Sequence, residues 1–189
     1  NSTIQTTALS ITGTDDAPVL TVAASASYSE NAAPVTLSPA AAVSDVDNQT
    51  LQSARVSISS GLLTGDVLAA TTAGTGITAS YNAASGVLTL TGNDTLAHYQ
   101  QVLDSVTYAS TSDNPTNFGT DTSRTISWVI NDGTLNNSTT QTTTLSIVAA
   151  DDAPVLTVAA TASYSENAAP VTLSSAATVS DVDNPVSYT

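Results

Sequence analysis

The sequence predicts an all-β fold, an antiparallel Greek-key β-sandwich with one short helix, and three observations point to it. The 189 residues include 26 Ser and 33 Thr, and Thr and Val are favoured in β-strands. Short stretches of Val, Ile, Thr and Leu recur between turn signals such as Asn131-Asp132-Gly133. About seven such stretches fall within a unit of about 136 residues, which is the pattern of a β-sandwich.

The predicted strands are short and rich in β-branched or aliphatic residues. They cover residues 19–28, 51–59, 76–81, 87–91, 105–109, 123–130 and 139–148. Alternation along residues 123–130 places Ile126, Trp128 and Ile130 on one face of a strand. We expect these three side chains to form the centre of the core.

One segment departs from the strand pattern. Leu96, Tyr99 and Leu103 recur at helical spacing, and Asp94 is a suitable N-cap. We therefore expect a short helix over residues 94–103, crossing between two strands.

The charge balance excludes several classes of function. Sixteen acidic residues face only two arginines, and the formal net charge is −14. Such a chain repels nucleic acid and anionic membranes. The chain contains no cysteine and a single histidine, His98, so a disulfide framework, a thiolate zinc site and a cysteine nucleophile are excluded. We expect no enzymatic activity and no catalytic role for His98.

Two further features concern the cellular context. No apolar stretch approaches the roughly 18 residues of a membrane-spanning helix, so we expect no membrane insertion. The chain begins Asn1-Ser2-Thr3, without the basic and apolar regions of a signal peptide. We expect it to be a segment of a longer protein.

An internal repeat dominates the sequence. Residues 1–48 align without gaps to residues 137–184, with 40 identities. The offset of 136 residues is the length of a whole domain rather than of a solenoid unit. We therefore expect the last strand of one repeat at 1–13, a complete repeat at 14–150, and the start of a third at 151–189, within a longer tandem array.

Most of the acidic residues lie in motifs that the repeat duplicates. Adjacent carboxylates such as Asp15 and Asp16 repel each other, and an extended Asp45-Val46-Asp47 points two carboxylates the same way. A divalent cation relieves this repulsion, and Ca²⁺ takes about six to eight oxygen ligands from carboxylates, amides and carbonyls. We expect calcium at the repeat junctions. The candidate ligands are Asp15, Asp16, Glu30, Asp45, Asp47, Asp132, Asp151, Asp152, Asp181 and Asp183.

Simpler roles remain open for these and other polar residues. Asp and Asn are ordinary turn residues, so any single motif is also compatible with a turn. Neighbouring amides at Asn31, Asn48 and Asn131 are further candidate oxygen ligands. The remaining acids in loops, Asp66, Asp104, Asp113 and Asp121, are expected to be solvated surface charges.

These motifs resemble those of cadherin-type repeats, specifically the repeats of giant bacterial surface adhesins secreted by type I systems. Asp15-Asp16-Ala17-Pro18 and its copy at 151–154 resemble the end of the cadherin linker motif. Ser29-Glu30-Asn31 resembles its early Pro-Glu-Asn, and Asp45-Val46-Asp47 resembles its Asp-x-Asp. The mid-domain Asp-x-Glu has no clear counterpart, and Asn93-Asp94 is a weak match.

The resemblance implies how the acids divide between two cation clusters. One cluster joins Asp15, Asp16, Asp45, Asp47 and Asp132. The other joins Glu30, Asp151, Asp152, Asp181 and Asp183. It also implies an extracellular, cell-surface extender repeat whose partners are the neighbouring repeats, with any host or surface ligand bound by other domains.

Two alternative functions follow from the sequence. A glycan- or protein-binding module would need an exposed aromatic platform, for which the eight aromatic residues give little support. A filament subunit joined by strand exchange would use the unpaired strand at 1–13.

Overall fold

The computed structural model describes residues 1–134 and 137–184, and it is mostly β with one short helix. The predicted start of a third repeat, 151–189, therefore lies partly outside the described residues. The elements are β1 Val19–Thr21, β2 Ser25–Ser29, β3 Val35–Thr36, β4 Ala42–Ser44, β5 Thr50–Ser60, β6 Asp66–Ala69, β7 Thr78–Asn82, β8 Val87–Thr95, α1 Leu96–Asp104, β9 Thr107–Ser110, β10 Ser123–Asn131, β11 Gln141–Val148, β12 Val155–Thr157 and β13 Thr178–Ser180.

Two sheets enclose the core. The larger has the strand order β2-β11-β10-β5-β8-β7, and the smaller has the order β3-β9-β6. Tyr28 from the larger sheet meets Tyr108 from the smaller one edge to face, with ring centroids 5.1 Å apart. The arrangement is that of a β-sandwich, and two small sheets, β1-β4 and β12-β13, lie at the repeat junctions.

The predicted core centre is confirmed. Ile126, Trp128 and Ile130 alternate with more exposed residues along β10 and are fully buried. The indole Nε1–H of Trp128 donates to Thr143 Oγ1 at 3.1 Å, and that hydroxyl donates to a backbone carbonyl at 2.6 Å. The buried polar atom of the tryptophan is thus satisfied, as a close-packed core requires.

The antiparallel prediction is wrong for one strand pair. β2 runs parallel to β11, with Leu145 opposite Ala26 and Ile147 opposite Tyr28. All other pairs of named strands among the described residues are antiparallel. The parallel pair brings the start of the repeat beside its last strand.

The strand predicted at residues 19–28 is split in two by a change of sheet. Between β1 and β2, the backbone N–H of Ala23 donates to Ser38 Oγ at 2.9 Å, and its carbonyl accepts from Thr143. These side-chain partners replace a continuous ladder. The short strands β3, β4 and β6 were not predicted, because two to four residues carry too little periodicity.

No strand forms at residues 1–13, which are predicted to be the last strand of a preceding repeat. Their sequence counterpart, β11, pairs with β10 and β2. A strand needs such neighbours, because its backbone groups are satisfied only across a ladder.

The predicted helix is confirmed as α1, but its N-cap is Thr95 rather than Asp94. Thr95 accepts a hydrogen bond from the backbone of His98. Asp94 instead accepts from the backbone N–H of Gly76 at 2.6 Å and pairs with His98 Nδ1 at 2.7 Å. Backbone hydrogen bonds from Gly76 and Thr95 lower the pKa of Asp94 below its usual value, with a smaller contribution from His98.

Asp66 is buried, which contradicts the prediction of a solvated surface charge. Its carboxylate accepts from Arg124 Nε at 2.7 Å, from the Tyr108 hydroxyl at 2.6 Å and from the backbone of Leu63 at 2.9 Å. Arg124 comes from β10 on the opposite sheet, so the ion pair links the two layers. Asp104 is half-buried and accepts from the backbone of Ala41 at 2.6 Å.

Among the described residues, no helix has the length and apolar character needed to span a membrane.

Candidate metal centre at the repeat junctions

The first junction is built on a tight turn after β4. Asp45 Oδ1 accepts hydrogen bonds from the backbone N–H groups of Asp47 and Asn48, each at 3.1 Å. This is the local pattern in which an Asp side chain closes a turn two residues ahead. The turn sets Asp45 and Asp47 on one short loop, as the sequence predicts.

The turn contacts the linker that precedes β1. The backbone N–H of Asp16 donates to Asp47 Oδ2 at 3.0 Å, and the side-chain amide of Asn48 donates to Asp15 Oδ1 at 3.0 Å. The linker and the loop are therefore joined by two hydrogen bonds between residues more than 30 positions apart.

Asp132 completes this first cluster from the end of β10. Its Oδ2 accepts from the Asn48 amide at 3.3 Å, and its Oδ1 accepts from the Thr134 hydroxyl at 2.8 Å. The same hydroxyl also donates to Asp15 Oδ2. The structure thus brings Asp15, Asp45, Asp47 and Asp132 into one hydrogen-bonded network, with Asp16 joined through its backbone.

The second junction reproduces the first. Asp152 N–H donates to Asp183 Oδ2 at 2.9 Å, Asn184 N–H donates to Asp181 Oδ1 at 3.0 Å, and the Asn184 amide donates to Asp151 Oδ1 at 3.0 Å. Identical sequence therefore gives an identical local arrangement of four acids. A counterpart of Asp132 lies 136 positions further on, beyond the 189 residues.

Glu30 lies at the second junction and not at the first. It is 5% exposed, and its Oε2 accepts from the backbone N–H of Ala150 at 2.8 Å. Its own N–H donates to the carbonyl of Val148 at 2.9 Å. The next residue, Asn31, has φ +60°, a left-handed conformation that Asn tolerates well, and this turn directs Glu30 toward the linker.

The charge of Glu30 is not compensated. Its Oε1 is buried and has no hydrogen-bond partner among the described residues. Burial raises the pKa of Glu30, and the carboxylates of Asp152, Asp183 and Asp113 raise it further against the Ala150 hydrogen bond. A buried carboxylate facing other carboxylates is costly unless a cation is near.

Carboxylate pairs at both junctions titrate together. The hydrogen bond from the Asp16 backbone lowers the pKa of Asp47, but partial desolvation and the nearby Asp45 and Asp15 outweigh it, so the pKa is raised. At the second junction, hydrogen bonds from Asp181 and from the Asp152 backbone lower the pKa of Asp183. In each Asp-x-Asp pair one proton is shared, and the titration belongs to the pair.

The residues present fit a hard cation on two observations. Glu30 Oε1 and Asp45 Oδ2 are buried oxygens without a hydrogen-bond partner in the described part of the chain. The donor set is made of carboxylates, which Ca²⁺ prefers. As placed, however, no group of three or more His, Cys, Asp or Glu side chains in residues 1–134 and 137–184 is close enough to hold an ion.

Some participants were missed by sequence reasoning. Thr134 bridges Asp15 and Asp132, and only its position two residues after Asp132 pointed to it. Asn48 was expected to offer an amide oxygen, but it donates its amide N–H to the acids. Asn131 holds its own turn, since its Oδ1 accepts from Gly133 at 2.8 Å.

Comparisons with known proteins leave the family open. No protein-family model matches the sequence, and no curated protein matches it significantly.

Proposed function

We propose that this chain is a calcium-binding extender repeat of a bacterial cell-surface adhesin, with a cadherin-like Greek-key β-sandwich. The observation that carries the proposal is the buried Glu30, whose unpartnered Oε1 belongs to the same junction as Asp152 and Asp183. The 136-residue repeat supports the array, because the acidic motif recurs once per domain.

The acidic residues of each junction belong to different parts of the chain. At the first junction, Asp15 comes from the linker, Asp45 and Asp47 from the loop after β4, and Asp132 from the end of β10. At the second, Glu30 comes from one repeat and Asp181 and Asp183 from the next. These carboxylates would hold the ion.

Bound calcium would supply positive charge and oxygen coordination that offset the repulsion between these carboxylates. The protein itself supplies a preformed arrangement, since the backbone hydrogen bonds of Asp47 and Asp183 already fix the loops against the linkers. An ion that binds only this docked arrangement stabilises it by mass action. The working role is a stiff spacer, exposed at the cell surface, that projects other domains for adhesion or biofilm formation.

A calorimetric calcium titration of residues 1–189 tests the proposal. We expect saturable binding and a stabilisation of about 2.7 kcal/mol when free calcium is 100 times its dissociation constant. The double variant Asp181→Asn/Asp183→Asn should lose the second site and keep the first. The matched control Glu166→Gln changes an exposed acid and should bind as the wild type does. Absence of binding in the unmodified chain would refute the calcium proposal.

The alternatives predicted from the sequence have their own tests. Phe118 is half exposed beside a cavity and offers an aromatic surface, so glycan-array binding by the chain would favour a glycan-binding module. A filament joined by strand exchange should keep its assembled mass in chelator, which mass measurement detects.

A further inference from the structure

The loop between β9 and β10, residues 111–122, lies against the start of the following repeat. The side-chain amide of Asn114 donates a hydrogen bond to the carbonyl of Val182 at 3.1 Å. A cavity of about 330 Å³ lies between the two, lined by Thr116 and Phe118 from the loop and by Asp183 and Asn184 from the following repeat. This contact uses none of the predicted cation ligands as a hydrogen-bonding partner.

The repeat provides an internal control for the contact. Val182 is 45% exposed, whereas its counterpart Val46, which has no such loop beside it in this chain, is 82% exposed. Val19 and Val155, equivalent positions elsewhere in the two copies, are 59% and 58% exposed. The difference at Val182 is therefore local to the face that the loop covers.

The acids beside Val182 show the same effect. Asp152 and Asp183 are half-buried, while their counterparts Asp16 and Asp47 are exposed. Asp113, on the loop, is close enough to contribute to the raised pKa of Glu30. The loop thus forms one wall of the second junction.

The loop is held in a fixed shape from inside the sandwich. Arg124 Nη2 donates to the carbonyl of Pro115 at 2.6 Å, and Nη1 donates to the carbonyl of Asp121 at 3.0 Å. The guanidinium is itself anchored by the buried Asp66. Within the loop, Asn114 Oδ1 accepts from the backbone of Phe118 at 2.9 Å. A rigid loop of this kind presents its docking group without an entropic cost at each contact.

We propose that the 111–122 loop is a second joint between repeats, one that docks the following repeat through Asn114 and Val182 without a cation. It rests on the proposed function only in treating residues 151–184 as the start of a following repeat. The orientation of neighbouring repeats is then set by a protein contact, and calcium acts on an angle already chosen.

Spin-label distance measurements on the 189-residue chain test this joint. The chain has no cysteine, so Thr142→Cys on β11 and Thr178→Cys on β13 introduce two unique, exposed label sites. The distance distribution is recorded in chelator, with folding of each variant checked by the fluorescence of Trp128. Loss of one neutral hydrogen bond should reduce the docked-to-undocked ratio by about two- to tenfold, which broadens the distribution.

Two variants separate docking from loop shape. Asn114→Ala removes both the amide donor and the acceptor for Phe118, while Asn114→Asp keeps the acceptor and sets a carboxylate against the Val182 carbonyl. Both should broaden the distribution in chelator. Asn82→Ala is the matched control, since Asn82 caps a turn in its own hairpin, and it should match the unsubstituted chain.

The outcomes distinguish this joint from the calcium proposal. If only one of the two Asn114 variants broadens the distribution, or neither does, the joint is refuted. The response of the unsubstituted chain to added calcium is recorded separately. A chain that ignores calcium but broadens with both Asn114 variants refutes the calcium site and supports the joint.

Discussion

Two copies of one sequence occupy very different environments in this chain. Leu20 is 2% exposed, and Leu156, at the identical position 136 residues later, is 63% exposed. Tyr28 and Leu37 are likewise buried, and their counterparts Tyr164 and Leu173 are exposed. The copies differ in what surrounds them, because the 189 residues contain the segment corresponding to 54–136 only once. The burial of an apolar side chain is therefore decided by distant parts of the chain.

The local structure of the two copies is the same despite this difference. β1 pairs with β4 in the register Val19 opposite Ser44, and β12 pairs with β13 in the register Val155 opposite Ser180. The Asp-x-Asp-Asn turns carry the same hydrogen bonds. Contacts over about 30 residues thus form from the motif itself, whereas β2 has no counterpart strand in the second copy.

The strongest way to break the comparison is to disrupt what the middle segment supplies. Asp66→Ala leaves the buried Arg124 without its carboxylate, and removing one partner of a buried ion pair costs about 3–5 kcal/mol. Urea unfolding followed by the fluorescence of the single tryptophan, Trp128, measures the loss. A loss no larger than that of the exposed-site control Glu166→Gln would contradict the role given to this ion pair.

A matched pair of core substitutions sharpens the comparison directly. Leu20→Ala removes a buried side chain and should lower the free energy of unfolding by about 2–5 kcal/mol. Leu156→Ala removes the same atoms from an exposed site and should change it by less than about 0.5 kcal/mol. Equal effects in the same urea experiment would show that the two copies are packed alike in solution.

The smallest expected effect concerns the two glutamates, Glu30 and Glu166. Burial, with Asp152, Asp183 and Asp113, raises the pKa of Glu30 above its usual 4.5, so the folded state binds this proton more tightly than the unfolded state. Its stabilising contribution is present below pH 4.5 and is lost as the pH rises through the raised pKa.

Glu30→Gln should remove that pH dependence in chelator and raise stability near neutral pH by about 1–3 kcal/mol. Glu166→Gln, the exposed counterpart, should leave the pH profile unchanged. In saturating calcium the order should reverse, because glutamine lacks the anionic oxygen that the ion needs. Thermal unfolding between pH 4 and 8 would settle the sign, and a Glu30→Gln profile parallel to that of the unsubstituted chain would exclude an uncompensated charge at this site.

Much of the larger sheet was accessible from sequence. Residues 123–130 alternate so regularly that the strand and its buried Trp128 were predictable, and helical spacing revealed α1. The short strands β3, β4 and β6 were not, because their pairing depends on β9 and β1 rather than on their own periodicity.

The candidate site divides in the same way. Asp45 and Asp47 form a turn through hydrogen bonds to adjacent backbone groups, so their placement follows from the motif. The arrival of Asp132, and the association of Glu30 with Ala150, depend on how β10 and β11 pair.

The sequence alone determined the repeat length, the excess of acid and the short-range turns, because each depends on neighbouring residues or on composition. Tertiary structure decided which carboxylates are buried. Asp66 and Asp113 look alike in sequence, yet one lies inside the sandwich with Arg124 and the other at a junction facing Glu30. The physical reason is that the environment of a charge depends on the groups that long-range pairing brings beside it, and an isolated stretch of sequence does not contain them.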